Sequence, residues 1–203
     1  MHSSVQNIVK LVEKLAAERE TPLVIALDGG SGAGKSTIAG MLESRLDIAI
    51  VPLDDFFSGN IPDPKWDVFT VEEKLRYVID WDRVRADAIR PLLHGRPAHW
   101  RAFDFQAGLT ADGTYGMEKE TRQRKSARMI LIEGAYSSSP ALADLVDLTI
   151  LVDVPLEERR ARLGTREEAG FLEQWHKRWD EVETFYFGTI RPRDSFDLVI
   201  KME

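Results

Sequence analysis

A glycine-rich segment at residues 29–37 constrains the fold more than any other part of the chain. Its sequence, Gly-Gly-Ser-Gly-Ala-Gly-Lys-Ser-Thr, fits the pattern of a glycine, four further residues and then Gly-Lys-Ser/Thr. The apolar run at residues 23–27 is typical of a buried strand, and residues 38–46 are typical of a helix. A strand, a glycine loop and a helix in this order predict a site for a nucleoside triphosphate.

The chemistry of phosphate binding explains the spacing within this loop. Glycines allow a tight turn that aims successive backbone N–H groups at phosphate oxygens, and the helix dipole favours an anion there. Lys35 can reach the outer phosphates as a point charge, and the Ser36 hydroxyl can ligate magnesium. The candidate nucleotide-binding residues are Gly29, Gly30, Ser31, Gly32, Ala33, Gly34, Lys35, Ser36 and Thr37.

Length and composition exclude several classes of protein. With 203 residues the chain is long enough for one well-buried domain, and we predict a single domain over residues 1–203. The net charge of -7 argues against nucleic acid as the main partner, and the absence of cysteine excludes disulfides and thiolate metal sites. No apolar run has the length of a membrane span and no signal peptide is evident, so we expect a cytoplasmic protein.

Apolar runs that predict strands alternate with patterns that predict helices. Residues 5–15 indicate a first helix that packs outside the core. Further strands are predicted at residues 48–53, 127–132, 148–152 and 198–200, and helices at 71–93, 156–163 and 171–187. This alternation predicts an α/β fold with a parallel sheet that is covered by helices on both faces.

The stretch between the second and third of these strands is too long for a plain crossover. We predict an insertion at about residues 55–126 that contains the helix and a hairpin, with a turn at residues 111–113. Such an insertion is well placed to hold the group that receives the phosphate. The basic residues Arg122, Arg124, Lys125 and Arg128 are interpreted as a solvated loop before the third strand.

Four of the predicted strands end in an acidic residue. These residues are Asp28, Asp54, Glu133 and Asp153. Ligands in open α/β sheets bind beyond the carboxyl ends of the strands, so the four acids can line one crevice beside the phosphate loop. The alternative is that each acid only caps the helix or turn that follows it.

Guanine-nucleotide switches are excluded by absent motifs, since no glycine has aspartate three residues before it and no asparagine precedes a lysine. A large mechanical ATPase needs a longer chain. A compact phosphotransferase remains.

Several motifs together resemble the uridine kinase, phosphoribulokinase and pantothenate kinase family, which also includes nicotinamide riboside kinases. The motifs are the glycine loop, Asp54-Asp55-Phe56-Phe57, Glu133-Gly134, Val152-Asp153-Val154-Pro155, Arg162 with Arg166, and the strand at residues 196–200. The resemblance implies a P-loop NTP hydrolase fold with strand order 2-3-1-4-5. It also implies ATP and Mg²⁺ as cofactors and transfer of the γ-phosphate to a hydroxyl of a nucleoside-like small molecule.

The chain departs from uridine kinases in the insertion and after the lid. It has Asp80-Trp81-Asp82 but not the Asp-His-Pro motif of uridine kinases, and the Arg-Gly-Arg that often follows Arg166 is missing. A kinase for pantothenate, a sugar or another non-nucleoside metabolite is therefore an alternative. A non-catalytic, ATP-binding regulatory protein is a second alternative, and a homo-oligomer is left open.

The resemblance assigns roles to individual acids. Asp54 is expected to accept the proton of the acceptor hydroxyl, and Asp55 is the alternative for this role. Glu133 is expected to hold magnesium together with Ser36, or to orient the nucleophile, and Asp153 is the competitor. Asp80 and Asp82 are candidates for hydrogen bonds to ribose hydroxyls, with helix capping as the alternative.

Two further groups of residues complete the predicted site. Arg162 and Arg166 lie one helical turn apart in a predicted lid at about residues 156–170, where they can balance charge on the transferred phosphate; a solvated charged face is the alternative. The insertion is rich in aromatic residues, most of which we expect in a small core. Phe57 and Phe103 are the leading candidates to face a ligand.

Overall fold

A five-stranded parallel sheet lies at the centre of the computed structural model, which describes residues 2–166 and 169–201 and their side chains except at positions 2, 3, 166, 169 and 171. The strands in chain order are β1 (Leu23–Asp28), β2 (Ile48–Pro52), β3 (Ala98–Phe103), β4 (Met117–Arg124), β5 (Met129–Glu133), β6 (Leu148–Asp153) and β7 (Leu198–Lys201). The parallel sheet has the order β2-β5-β1-β6-β7, and β3 and β4 form a separate antiparallel hairpin. Counted within the parallel sheet alone, this is the predicted order 2-3-1-4-5.

The central strands are apolar throughout because both faces of the sheet are covered. All six residues of β1 are buried, and alternate side chains enter different clusters. Ile25 packs with the first two helices, α1 (His2–Ala17) and α2 (Lys35–Glu43), whereas Val24 packs on the other face. The predicted α/β architecture with helices on both faces is confirmed.

The insertion lies between β2 and β5 and differs in detail from the prediction. It contains short helices at Leu53–Phe56 and Asp63–Asp67, then α3 (Val71–Tyr77), α4 (Trp81–Arg83), a π-helical turn at Val84–Ile89, and α5 (Arg90–Leu93) before the hairpin. The prediction of one helix over residues 71–93 is therefore wrong. The chain leaves the helix because Ile79 forms an antiparallel bridge with Phe57, and Asp80 then caps a new helix by accepting a hydrogen bond from the Arg83 amide.

Two of the four basic residues before β5 are not in a loop. Arg122 and Arg124 belong to β4, which extends further toward β5 than the hairpin pattern indicated. Arg122 pairs with Asp55 at 2.7 Å, and Arg124 donates to the carbonyl of Ile50 at 3.1 Å. Their interpretation as part of a solvated loop is wrong, because both hold the hairpin against the end of β2.

Two helices follow β6, and the second of them packs on the face of the sheet that carries Val24. These are α6 (Leu156–Arg166) and α7 (Ala169–Phe185), and α7 continues into a π-helical turn at Tyr186–Ile190. Trp179, Val182 and Tyr186 pack in the same cluster as Phe56 and Trp100 of the insertion. In the described part of the chain, none of the helices is long and apolar enough to cross a membrane.

Candidate active site

The phosphate loop joins β1, the middle strand of the sheet, to the N-terminus of α2. Its last glycine, Gly34, precedes the helix in a left-handed conformation with φ of 89°. The Lys35 side chain is buried and folds over the loop, where Nζ donates to the carbonyl oxygens of Gly29 at 2.8 Å and Gly30 at 3.2 Å. The loop therefore presents backbone amides, a helix N-terminus and a lysine cation in one place, as binding of a triphosphate requires.

Asp28 anchors the base of this loop. Its carboxylate is completely buried and accepts four hydrogen bonds, from the amides of Gly29, Tyr136 and Ser138 and from the hydroxyl of Tyr186, at 2.8–3.0 Å for the amides and 2.7 Å for the hydroxyl. Burial raises the pKa of Asp28, and these hydrogen bonds oppose that shift. The first of the four strand-end acids thus ties β1 to the loop after β5 and to the end of α7.

Close packing requires glycine where β1 and β5 end. Gly29 and Gly134 both have φ of 149°. A Cβ atom on Gly29 would lie 2.7 Å from the carbonyl oxygen of Val152, and one on Gly134 would lie 2.7 Å from Cβ of Leu53. Any side chain at these positions would push the phosphate loop, or the loop that follows Glu133, away from its neighbour.

A cavity of about 760 Å³ opens beside the phosphate loop. Its walls combine polar residues of the loop, the ends of β2 and β5, and residues of α6 and α7. The structure brings ten predicted site residues together there, and six of them are Lys35, Ser36, Asp54, Phe57, Glu133 and Arg162. The loop residues Ser31, Gly32, Gly34 and Thr37 also line it.

Glu133 lies at the buried end of this cavity. Its side-chain oxygen is 3.4 Å from the Ser36 hydroxyl, and the residue is only 8% exposed. Burial raises the pKa of Glu133, the charge of Asp54 raises it further, and Lys35 acts in the opposite direction. The charges of Asp54 and Lys35 therefore both affect the pKa of Glu133, at the carboxyl ends of the parallel strands.

These oxygen atoms fit a magnesium ion that is shared with a nucleotide. Mg²⁺ prefers oxygen ligands and commonly takes one or two carboxylates together with phosphates and water. Ser36 and Glu133 supply a hydroxyl and a carboxylate next to the loop. Within residues 2–166 and 169–201, no three histidine, cysteine or acidic side chains form a group that could hold a metal, so phosphate and water oxygens would have to complete the coordination.

The neighbours Asp54 and Asp55 have different surroundings. Asp55 is buried and accepts hydrogen bonds from the Trp100 ring nitrogen and from Arg122, both at 2.7 Å. Burial raises the pKa of Asp55. Asp54 is exposed and lines the cavity with Lys35 and Glu133. Of the two candidates for a proton acceptor, the geometry favours Asp54.

Asp153, the competitor of Glu133, is placed differently. It accepts a hydrogen bond from Arg193 at 3.0 Å and does not line the cavity. Of the predicted lid arginines, Arg162 lines the cavity and lies 3.4 Å from Glu158, one turn earlier in α6. The side chain of Arg166 lies outside the described part of the structure.

Aromatic rings form one wall of the cavity. Phe57 reaches the cavity and lies 5.4 Å from the Phe105 ring and 6.2 Å from the Trp175 ring. Phe103 is buried behind Phe57, at 5.8 Å between ring centres, and does not line the cavity. Phe105, an aromatic residue of the insertion that was not a leading candidate, also lines the cavity, and the sequence reasoning missed Tyr136, Trp175 and Trp179. The i, i+4 spacing of the two tryptophans was a usable signal that they share a helix face.

The acids of the insertion do not reach this cavity. Asp80 accepts the hydrogen bond that caps α4 and lines a different, open cavity of about 630 Å³ on the hairpin side. Asp82 is exposed and lines neither cavity. Their substrate contacts stay predictions, which this geometry does not support.

Comparisons with known proteins agree with the fold and the loop. The profile of the phosphoribulokinase/uridine kinase family matches residues 24–163. A uridine kinase from Streptococcus gordonii is 25% identical over 181 residues, which cover 84% of this chain and 78% of the relative.

Two solved structures share the fold. The structure of a possible uridine kinase from Bacillus stearothermophilus has a TM-score of 0.63 at 18% identity, covering 96% of this chain and 99% of its own. D-glycerate 3-kinase from Cryptococcus neoformans var. grubii has a TM-score of 0.57 at 14% identity, covering 95% and 88%. With the phosphate loop and strand order in place, the chain belongs to the phosphoribulokinase/uridine kinase family.

Proposed function

We propose that this protein is a kinase that transfers the γ-phosphate of ATP to a hydroxyl of a nucleoside-like small molecule. The observation that carries the proposal is the meeting of Lys35, Ser36, Asp54 and Glu133 in one cavity with an aromatic wall. The phosphate loop supports nucleotide binding on one side of this group. The wall of the insertion and α7 leaves room for an acceptor on the other.

The loop and Lys35 would hold the triphosphate. Amides at the start of α2 would point at phosphate oxygens, and the Lys35 ammonium, which contacts the loop carbonyls, would reach the outer phosphates. Ser36 and Glu133 would hold a magnesium ion, which would supply positive charge to the transferred group. Glu133 must be ionised for this role, although its burial favours the protonated form.

Asp54 would orient the acceptor hydroxyl and take its proton. Phosphoryl transfer needs the attacking oxygen in line with the terminal phosphate, and a carboxylate at this position can both align and deprotonate it. The exposed position of Asp54 in the cavity leaves it accessible to an incoming alcohol. Arg162 also lines the cavity and would balance charge on the phosphate in transit. The same role for Arg166 stays a prediction.

The aromatic wall supports a flat acceptor. Phe57, Phe105 and Trp175 offer ring faces and edges that suit a base or a nicotinamide ring. A non-nucleoside acceptor is the second candidate, because Asp80 and Asp82 do not line the cavity and cannot read ribose hydroxyls from their present positions. The fold itself also occurs in a D-glycerate kinase.

A screen of acceptors tests the proposal. ATP consumption is measured with Mg²⁺ and a panel of nucleosides, nicotinamide riboside, pantothenate, glycerate and sugars, and products are identified by mass. A phosphorylated nucleoside or riboside supports the main proposal, and a phosphorylated non-nucleoside supports the second candidate. ATP binding without transfer to any member of the panel would favour a non-catalytic, ATP-binding regulator.

A further inference from the structure

Two charged residues outside the predicted site form hydrogen bonds with the phosphate loop. Glu183 of α7 accepts hydrogen bonds from the amide and the hydroxyl of Ser31, at 2.8 Å and 2.7 Å. Arg159 of α6 donates to the carbonyl oxygen of Ser31 at 3.0 Å and to Glu183 at 2.8 Å. The backbone of Ser31 is thus held by a carboxylate on its N–H side and by a guanidinium on its C=O side.

This arrangement places a negative charge against a loop that must bind a polyanion. Glu183 is only 7% exposed, so water screens its charge poorly. A carboxylate at this distance from the loop repels a triphosphate unless a cation balances it. Arg159 is the cation in contact with Glu183, and its side chain is only 13% exposed.

The loop is also shaped to admit the guanidinium. A methyl group on Gly30 would lie 2.1 Å from Nη1 of Arg159, and the carbonyl oxygen of Arg159 lies 2.6 Å from where a Cβ of Gly32 would be. Gly30 does not have a positive φ, so its backbone does not require glycine. The lack of a side chain at Gly30 therefore makes room for the guanidinium of Arg159 and is not required by the local backbone conformation.

We propose that Arg159 is a positioning residue that neutralises Glu183, so that this carboxylate can fix the phosphate loop without weakening nucleotide binding. The inference rests on the proposed function only in that the loop binds ATP. Because Arg162 lies one turn further along α6, the same contact also fixes the start of the lid helix relative to the loop.

The test compares charge-neutralising variants of the two residues. Arg159→Gln, Glu183→Gln and the double variant are titrated calorimetrically with a non-hydrolysable ATP analogue in the presence of Mg²⁺, and the thermal midpoint of each is recorded. Arg159→Gln should weaken binding on the order of tenfold, because an uncompensated carboxylate remains beside the loop. Glu183→Gln should bind as tightly as wild type or more tightly, and the double variant should recover most of the loss.

A neighbouring ion pair provides the matched control. Arg160 of α6 pairs with Asp180 of α7, so it joins the same two helices, but neither residue has a hydrogen bond to the loop among those described. Arg160→Gln should leave the affinity for the ATP analogue unchanged. If Arg160→Gln weakens binding as much as Arg159→Gln, the effect comes from helix docking and the proposal is overturned.

A second variant keeps the proposal testable if Arg159→Gln folds poorly. Gly30→Ala displaces the guanidinium while both charges remain in the chain, and it should weaken binding like Arg159→Gln and be rescued by Glu183→Gln. If Arg159→Gln and Glu183→Gln lower the affinity for the ATP analogue equally, and the double variant does not recover it, the ion pair has only a structural role and the proposal is overturned. These readouts need no acceptor, so a failed acceptor screen would contradict the kinase proposal without affecting this one.

Discussion

The carboxylates of the adjacent residues Asp54 and Asp55 lie in different environments after the end of β2. Asp55 is buried against the hairpin by Trp100 and Arg122, whereas Asp54 remains exposed in the cavity beside Lys35 and Glu133. One acid therefore fastens the insertion to the sheet, and the other lines the cavity. We therefore expect substitution of Asp54 to lower turnover and substitution of Asp55 to lower stability.

Asp28→Asn should destabilise the protein. An asparagine can accept only part of the four hydrogen bonds that the carboxylate receives, and its amide group would face backbone donors. We expect a loss of ~3 kcal/mol in the free energy of unfolding, measured by urea denaturation. Tyr186→Phe removes one of the four donors and should cost only about 1 kcal/mol. Equal stabilities of wild type and Asp28→Asn would contradict this description of the loop anchor.

Glu133→Gln should make the protein more stable at neutral pH and less active. Because burial raises the pKa of Glu133 above that of the unfolded chain, its contribution is most favourable below the unfolded pKa and is lost as pH rises through the folded pKa. Removing the charge should therefore raise the free energy of unfolding at pH 7–8, and the gain should vanish toward pH 4. Denaturant titrations at a series of pH values check this. A Glu133→Gln variant that is less stable than wild type at pH 7–8 would show that burying the ionised carboxylate does not destabilise the folded protein.

Arg178 of α7 should hold the insertion in place. It forms paired hydrogen bonds with Asp63 at 2.6 and 2.9 Å and with Asp67 at 2.9 and 3.1 Å. We expect Arg178→Met to lower stability by ~2 kcal/mol, with faster proteolytic cleavage within residues 55–126. Arg178 lowers the pKa of both aspartates, so this stabilisation is present above their unfolded pKa and is lost as pH falls. An Arg178→Met effect that does not shrink in acid would contradict this assignment.

Much of the parallel sheet could be predicted because its determinants are local. Buried parallel strands are continuous apolar runs, and the phosphate loop has a fixed spacing, so β1, the loop and α2 follow from residues 23–46. The end of β2 shifts by one residue because Leu53 begins a short helix, which apolarity does not reveal. The strand order came from family resemblance and not from the pattern itself.

The contacts of the insertion could not be predicted because they join residues far apart in sequence. The break between α3 and α4 depends on the Phe57–Ile79 bridge, and the position of Arg122 depends on its ion pair with Asp55, 67 residues earlier. The roles of Arg159 and Glu183 likewise arise only when α6 and α7 pack on the loop. In the sequence Arg159 lies in a charged run, where a solvated face is the usual expectation.

Comparing the turnover of the Asp54→Asn and Asp55→Asn variants is the most direct test of the central claim, which is that Asp54 takes the proton of the acceptor hydroxyl. Both variants are assayed for transfer of phosphate from ATP to whichever acceptor the screen identifies, together with the affinity for an ATP analogue and the thermal midpoint. Asp54→Asn should lower turnover by about 10²–10⁴-fold, with nucleotide affinity and thermal midpoint close to wild type. Asp55→Asn should instead lower the thermal midpoint. Near-normal turnover by Asp54→Asn, in a folded protein that binds nucleotide, would contradict the account.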